Sequence, residues 1–588
     1  MPQSQRRAFD KMSPLGAMAC GAFLVLACAF GCAPCMTEIS EAPRETTSKH
    51  EEHEKTLEVD QGWMDGHLPA SILDGNPKKG GKVTIRAYYE PDSLNPLLSG
   101  AGMTRWIVLH NVVETLLRRD PYAEGPGRFL PSLAKSWEMD ESQTTYTFRL
   151  RKDALWHDGK PFTSRDVAKT FEKIADPRVS AGSLGPLYRH LETVETPDEH
   201  TVRFKWKHPY FLALDTIAST PVQPAHILEH LDGRSYNEAA ANPLNRAPLG
   251  TGPFKFLRWD AGSRIVLERN EDWWGNGPWL DQVIYRIVPD HSVARQLAQQ
   301  RELDVWDAVQ PHMWIRMNEE PRLGRYYHRV RYDDAAYVFI GWNSRRPQLS
   351  DPSVRRALSM LFDRDALIDG IQHGLVRPAT CHFYFASNDC DSSITPLPHD
   401  PAQALAKLSE AGWKDTTGDG FLDREDVRLQ IDVMIYPASE VSERVSTTML
   451  EEFKRAGIDV RIQEIDWPAL VRRLRTGEFD ATVLMWNTGP ISDPVPYWHS
   501  GARLDGANYF GFKSTRADTL MEEARRKLDD ESRQELFREL GALLYEKQPV
   551  TFLYHPSRLA LVSKRLRGVR PSLEWWQPRD WWIEDASR

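Results

Sequence analysis

The stretch Pro248 to Val288, PLGTGPFKFLRWDAGSRIVLERNEDWWGNGPWLDQVIYRIV, decides how the chain is read. Gly250 and Gly252 bracket a turn in which positive φ is open to them, and Pro253 fixes the next φ before the apolar pair Phe254 and Phe256. A strand is expected to follow. Ile265, Leu267 and Arg269 alternate with Val266, Glu268 and Asn270, and after a turn from Gly275 to Pro278 the run Val283 to Val288 is rich in β-branched residues. That pattern predicts strand, aromatic turn, strand.

Working outward, 588 residues exceed one hydrophobic core and imply two to four units. With 41% apolar residues, 27% charged residues and a net charge of −9, the composition is that of a soluble globular protein, and no basic patch calls for nucleic acid. Residues 1–35 read as an export signal: Arg6, Arg7 and Lys11 precede an apolar run from Leu15 to Gly31 that is short for a membrane span. Val25, Leu26 and Ala27 before Cys28, and Ala29, Phe30 and Gly31 before Cys32, resemble the lipobox of bacterial lipoproteins, with Cys28 favoured for lipid attachment. Gln5-Arg6-Arg7-Ala8-Phe9 also resembles a twin-arginine signal, leaving the export route open. Residues 36–79 are polar and acidic and read as a disordered tether.

Several ordered motifs then point one way. GTGPF, LERNEDWW and LDQVIYRIVPD in the opening stretch are joined by Leu94-Asn95-Pro96 after a first strand, and by RKDALWHDGKPFTSRDVAKTFEKI, where Trp156, Asp158, Gly159, Pro161, Asp166 and Val167 fall in register. Ser350 to Leu358, SDPSVRRAL, adds another. Together they resemble the extracytoplasmic solute-binding proteins of ABC importers, the peptide/nickel family (family 5). The resemblance covers about residues 80 to 560 and implies an α/β fold, periplasmic binding protein type II, in a three-lobed form with a hinge between two main lobes. Its implied divisions are 80–112, 221–334 and 549–588 for lobe I, 113–220 for lobe II and 335–548 for lobe III, with closure around crossovers near residues 221 and 335. Pro549 to His555 is expected to form a strand that rejoins lobe I, and Thr104 to Arg118 to form a helix.

The implied function is capture of a small, peptide-like solute by lobe closure and delivery to an ABC permease, by a lipid-anchored monomer on the outer face of a bacterial membrane. No cofactor and no catalysis are expected. Tyr88 and Tyr89 on one lobe and Trp486, Asn487, Asp493 and Trp498 on the other are the expected ligand contacts. The resemblance implies an aspartate three residues after the tryptophan to hold a peptide amine; Gly489 stands there, and only the later Asp493 remains. Trp486→Ala is therefore expected to weaken binding and spare the fold, if Trp486 is a cleft wall and not core.

Other readings compete. His226, Glu229 and His230 match H-x-x-E-H and would serve a zinc hydrolase if carried on one helix face. Asp415 to Asp426 imitates a calcium loop with Gly420 in the sixth place but Asp426, not Glu, in the twelfth. A solute sensor without a permease fits the same motifs. Cys381 and Cys390, with eight residues between them in an exported chain, are expected to form a disulfide.

Overall fold

The computed structural model describes residues 68, 70–99, 102–120, 128–181, 188–437, 439–502, 506–573 and 576–584. Cys28, Cys32 and most of the segment 36–79 lie outside them, but the expected tether does not reach residue 79: Ala70–Leu73 forms a short 3-10 helix whose Ile72 is buried with Val83 and Ile85. No helix of the described residues is long and apolar enough to cross a membrane.

The chain lays down β1 (Lys82–Ala87) and leaves on an excursion that builds β2 (Ala134–Met139), β3 (Thr145–Leu150), helix α1 (Ser164–Ala175), β4 (Leu191–Asp198) and β5 (Thr201–Trp206). It returns with β6 (Phe254–Asp260), β7 (Arg264–Arg269), β8 (Gln282–Ile287), β9 (Val305–Trp306) and β10 (Tyr327–Asp333). It then crosses into β11 (Ala336–Trp342), α2 (Pro352–Leu361), β12 (Arg377–Pro378), β13 (Gln430–Ile435), α3 (Glu440–Arg455), β14 (Asp459–Glu464), α4 (Trp467–Thr476), β15 (Ala481–Asn487), α5 (Thr515–Arg525), α6 (Asp530–Lys547) and β16 (Val550–His555). Strand β17 (Ser557–Ser563) brings it back.

Three larger sheets result, beside three of two strands each among the described residues. The first has seven strands in the order β10-β17-β9-β1-β8-β7-β6, the second four in the order β2-β3-β5-β4, and the third six in the order β12-β16-β11-β15-β13-β14. The opening stretch supplies three strands of the first sheet, with β8 parallel to β1 from Lys82↔Gln282 to Ala87↔Ile287 and antiparallel to β7. Val83, Ile85, Ala87, Phe254, Ile265, Leu267, Val283 and Tyr285 meet in its core, so the period-two pattern is satisfied by burial.

Neither Gly250 nor Gly252 adopts positive φ. Close approach explains them instead: a Cβ on Gly250 would lie 1.7 Å from the Val112 carbonyl oxygen, and one on Gly252 2.5 Å from that of Asn111. The same contact ends the helix expected to reach Arg118. It spans Gly102–Val108, because the carbonyls of Asn111 and Val112 accept from the amides of Phe254 and Gly252, both at 2.9 Å, and His110 turns the chain at φ 65°.

The motif at Trp156 to Val167 has a comparable local reason. The Asp166 carboxylate accepts from the amides of Thr163 at 2.8 Å and Ala225 at 2.7 Å, pinning the start of α1 to the return segment. Val167, Phe171 and Ile174 face the second sheet's core.

Val550 to His555 departs from expectation. As β16 it pairs with β11 and β12 in the third sheet, and only from Ser557 does the chain pair with β10 and β9 in the first. The two crossings between these sheets are therefore Asp334-Ala335, where one was expected near residue 335, and Pro556, in place of the one expected near residue 221. Pro221 instead bridges to Thr115 at the root of the excursion.

Cys381 and Cys390 are bonded, with their Cα atoms 6.0 Å apart. Closing so short a loop contributes about 2 to 3 kcal/mol. Reduction is expected to lower the urea midpoint of the third lobe accordingly, and two free thiols in unfolded, non-reduced protein lacking the leader cysteines would contradict the bond.

Candidate functional site

Strand directions bring one edge of the first sheet to one edge of the third. Strands β13, β14 and β15 are parallel, so Tyr436, the turn before Trp467, and Asn487 lie at a common carboxyl edge. Asn487 is opposite Ala336, the first residue after the crossing, which places that edge at the crossing. In the first sheet β10 and β1 both run antiparallel to β17, directly or through β9, so Tyr88 and Tyr89 at the end of β1 reach the same crossing from the other side. Carboxyl edges where strand order reverses are where open α/β sheets hold ligands.

The crossing is charged and aromatic. Arg558 Nε lies 3.0 Å from Asp334 Oδ2, its Nη1 3.3 Å from Asp307 Oδ2, and the Tyr332 hydroxyl donates to Asp307 Oδ1 at 3.3 Å. Burial pushes the Tyr88 hydroxyl up to about 12, opposed by the Arg558 cation. Tyr88 packs edge-on against Tyr89 at 5.0 Å, and the Tyr89 hydroxyl accepts from the Met103 amide at 2.9 Å. From the third lobe, Tyr384 is likewise pushed up to about 12 by burial, and its ring meets Phe385 edge-on, which in turn packs at a tilt against His555.

Trp467 is the residue the sequence reading missed. It begins α4, which Asp466 caps by accepting from the Ala469 amide at 2.9 Å, and half of its surface is exposed, 50%, while it leans on Tyr436 at 5.8 Å between centroids. The capped helix start thus holds a large apolar ring in solvent at the carboxyl edge of the third sheet. Its signal was legible as Asp466-Trp467-Pro468, a cap followed by Pro.

The other expected contacts sit differently. Asn487 is exposed, its Oδ1 accepting from the Gly489 amide at 3.1 Å. Trp486 is 9% exposed, with Phe339 at 4.7 Å, Tyr497 at 4.8 Å and Trp498 at 5.3 Å. Trp498 is 0% exposed, inside the same aromatic cluster. Asp493 Oδ2 receives Arg525 Nε and Nη2 at 2.8 and 2.6 Å and the Tyr210 hydroxyl at 3.1 Å, while Oδ1 takes the Val495 amide at 3.0 Å. That carboxylate is already occupied by protein donors.

Residues 128–508 match the family described as bacterial extracellular solute-binding proteins, family 5. The chain belongs to this family. It is 28% identical over 542 residues to the oligopeptide-binding protein AppA of Bacillus subtilis, covering 90% of this chain and 96% of that one. It is 27% identical over 506 residues to the di/tripeptide-binding protein 2 of Pseudomonas aeruginosa, covering 82% and 91%. The structure of Bacillus subtilis AppA in complex with a nonapeptide superposes with a TM-score of 0.77 at 27% identity, covering 87% of this chain and all, 100%, of that one.

In this family 5 protein the zinc and calcium patterns have other occupations. The helix expected to display His226 and His230 is the single turn Ala225–Leu228; His226 Nε2 lies 2.9 Å from Asp158, and Glu229 pairs with Arg165 at 2.7 Å. The three side chains do not gather around one point. In the Asp415 loop, Asp415 accepts from the amides of Gly418 and Gly420 at 2.7 and 3.0 Å, Asp419 from that of Phe421 at 3.0 Å, and Asp423 from that of Thr416 at 2.9 Å. The aspartates shape a hairpin.

Behind Trp486, His382 is wholly buried, with Tyr337 Oη 3.0 Å from Nδ1 and Ser492 Oγ 3.0 Å from Nε2. Burial lowers its pKa to about 3. The unfolded chain therefore binds this proton more readily, so the stabilisation is complete above an ordinary pKa of about 6.5 and is lost as pH falls from there toward 3. Burial lowers His157 and His555 to about 4 in the same sense. Urea midpoints are expected to fall between pH 6.5 and 4 and to fall less steeply in His382→Gln; equal slopes would remove His382 from this account.

Proposed function

We propose that this chain is an extracytoplasmic solute-binding lipoprotein of an ABC importer, which captures a peptide-like solute between its first and third lobes and performs no covalent chemistry. The carrying observation is the meeting of two carboxyl strand edges at a two-stranded crossing, with Tyr88 and Tyr89 on one side and Tyr436, Trp467 and Asn487 on the other. A solute touching both edges is bound better in the closed arrangement and shifts the population toward it. The peptide-binding relatives support a peptide, and the leader motif supports a lipid on Cys28, or on Cys32, with the protein acting as a monomer beside its permease.

Asp493 is engaged by Arg525, so recognition of the solute rests on aromatic contact and on backbone and Asn487 hydrogen bonds more than on an ion pair to an amine. Trp467→Ala is expected to weaken binding of a mixture of short synthetic peptides by about 1 to 3 kcal/mol while leaving the urea midpoint unchanged. Calorimetric titration giving the same affinity for both proteins would remove Trp467 from the site.

A further inference from the structure

The loop after β5 carries Tyr210 and Phe211 of the second lobe onto the third. The Phe211 amide donates to the Arg525 carbonyl at 3.0 Å, its ring meets Phe537 edge-on at 5.7 Å, and the Arg533 guanidinium lies 4.8 Å over its face. Beside it, the Tyr210 hydroxyl donates to Asp493 Oδ2 at 3.1 Å, and the Arg525 guanidinium lies 5.4 Å over the Tyr210 ring. Asp493 and Arg525 both belong to the third lobe, where their pair is 2.6 Å long with the carboxylate side chain only 3% exposed. Burial and the Asp493 charge hold the Tyr210 hydroxyl protonated, as a donor must be.

The chain enters and leaves the second lobe from the first, and Pro221 bridges to Thr115 where the excursion closes. Nothing covalent joins the second lobe to the third. Its contacts with Asp493, Arg525 and Phe537 can therefore persist only while the hinge at Asp334-Ala335 and Pro556 holds the lobes together. The Asp493–Arg525 pair needs no partner from the second lobe to form, so it acts as a receptor already assembled for an incoming hydroxyl and ring.

From this geometry we infer that Tyr210 and Phe211 are positioning residues that dock the second lobe on the third and set the population of the closed state. The inference rests on hinged capture of a solute as proposed above. Apparent affinity scales with the fraction of molecules in the binding-competent state, so residues remote from the solute control how tightly it is held.

Hydrogen exchange of the full chain without solute reads the docking directly. Tyr210→Ala with Phe211→Ala is expected to raise exchange in residues 207–214 and, across the interface, in 519–528 by about tenfold, as for loss of a local opening barrier, while β2, β3 and β5 keep their protection. Tyr210→Phe, which keeps the ring, is expected to show a smaller rise in the same two segments and serves if the double variant does not fold. Exchange in 519–528 equal to that of the parent in both variants would overturn the docking role. So would a rise spread through the core of the second lobe, which marks a merely structural role. Failure of the capture proposal reads differently: short peptides then leave exchange at both segments unchanged in the parent protein, whatever the variants do.

Discussion

Trp486→Ala is expected to lower the free energy of unfolding by about 3 to 5 kcal/mol, the usual cost of deleting a buried tryptophan ring. The indole packs against the rings of Tyr337, Phe339, His382, Tyr497, Trp498 and Phe510, neighbours fixed by β11, the disulfide loop, the short helix Val495–Trp498 and the segment after it, so the hole left by its removal has little freedom to collapse. The sequence alone suggested that this substitution would spare the fold and weaken binding. Burial reverses the order of the two effects. Urea unfolding followed through the tryptophan signal distinguishes them, and a midpoint equal to that of the parent, together with weakened peptide binding, would return Trp486 to the wall of the cleft.

The second large effect is at the hinge. Arg558→Met leaves Asp307, whose side chain is 1% exposed, and Asp334 without their shared cation. Removing one partner of a buried ionic network costs about 3 to 5 kcal/mol, because the remaining carboxylates stay desolvated and uncompensated. The additional substitution Asp307→Asn is expected to restore part of the loss, because it removes one of the uncompensated charges. Urea midpoints of the two variants at neutral pH check this. A single variant as stable as the parent would show that the network contributes nothing at the crossing.

Much of the fold was legible because local chemistry dictated it. The alternation in Pro248 to Val288 specified three strands, and the motif around Asp166 and Val167 stood out in the sequence, whereas the bond of Asp166 to the Ala225 amide that explains it is visible only in the fold. What failed did so for tertiary reasons. Gly250 and Gly252 were read for their φ angles, whereas their role is close approach to carbonyls more than a hundred residues upstream. Thr104 to Arg118 has helical spacing throughout, yet the carbonyls its second half would use internally are taken by the returning turn. Val550 to His555 looks like any buried strand, and only pairing decides which sheet receives it.

The candidate site was legible at Tyr88, Tyr89 and Asn487, which stand at strand ends. Arg558, Asp307, Asp334 and Tyr384 were not, since they converge only through the two crossings. Trp486 and Trp467 are alike in sequence as aromatic residues near strand ends; the sheet's two-residue period turns one inward, while a helix cap holds the other out.

Native mass spectrometry of the purified full chain tests solute capture most directly. Hinged capture predicts a population carrying noncovalent adducts with the masses of short peptides, released on mild activation, and a smaller adduct population in Trp467→Ala. A parent protein that shows only its own mass after incubation with a mixture of short peptides, or that carries them equally well without Trp467, would contradict capture at this crossing.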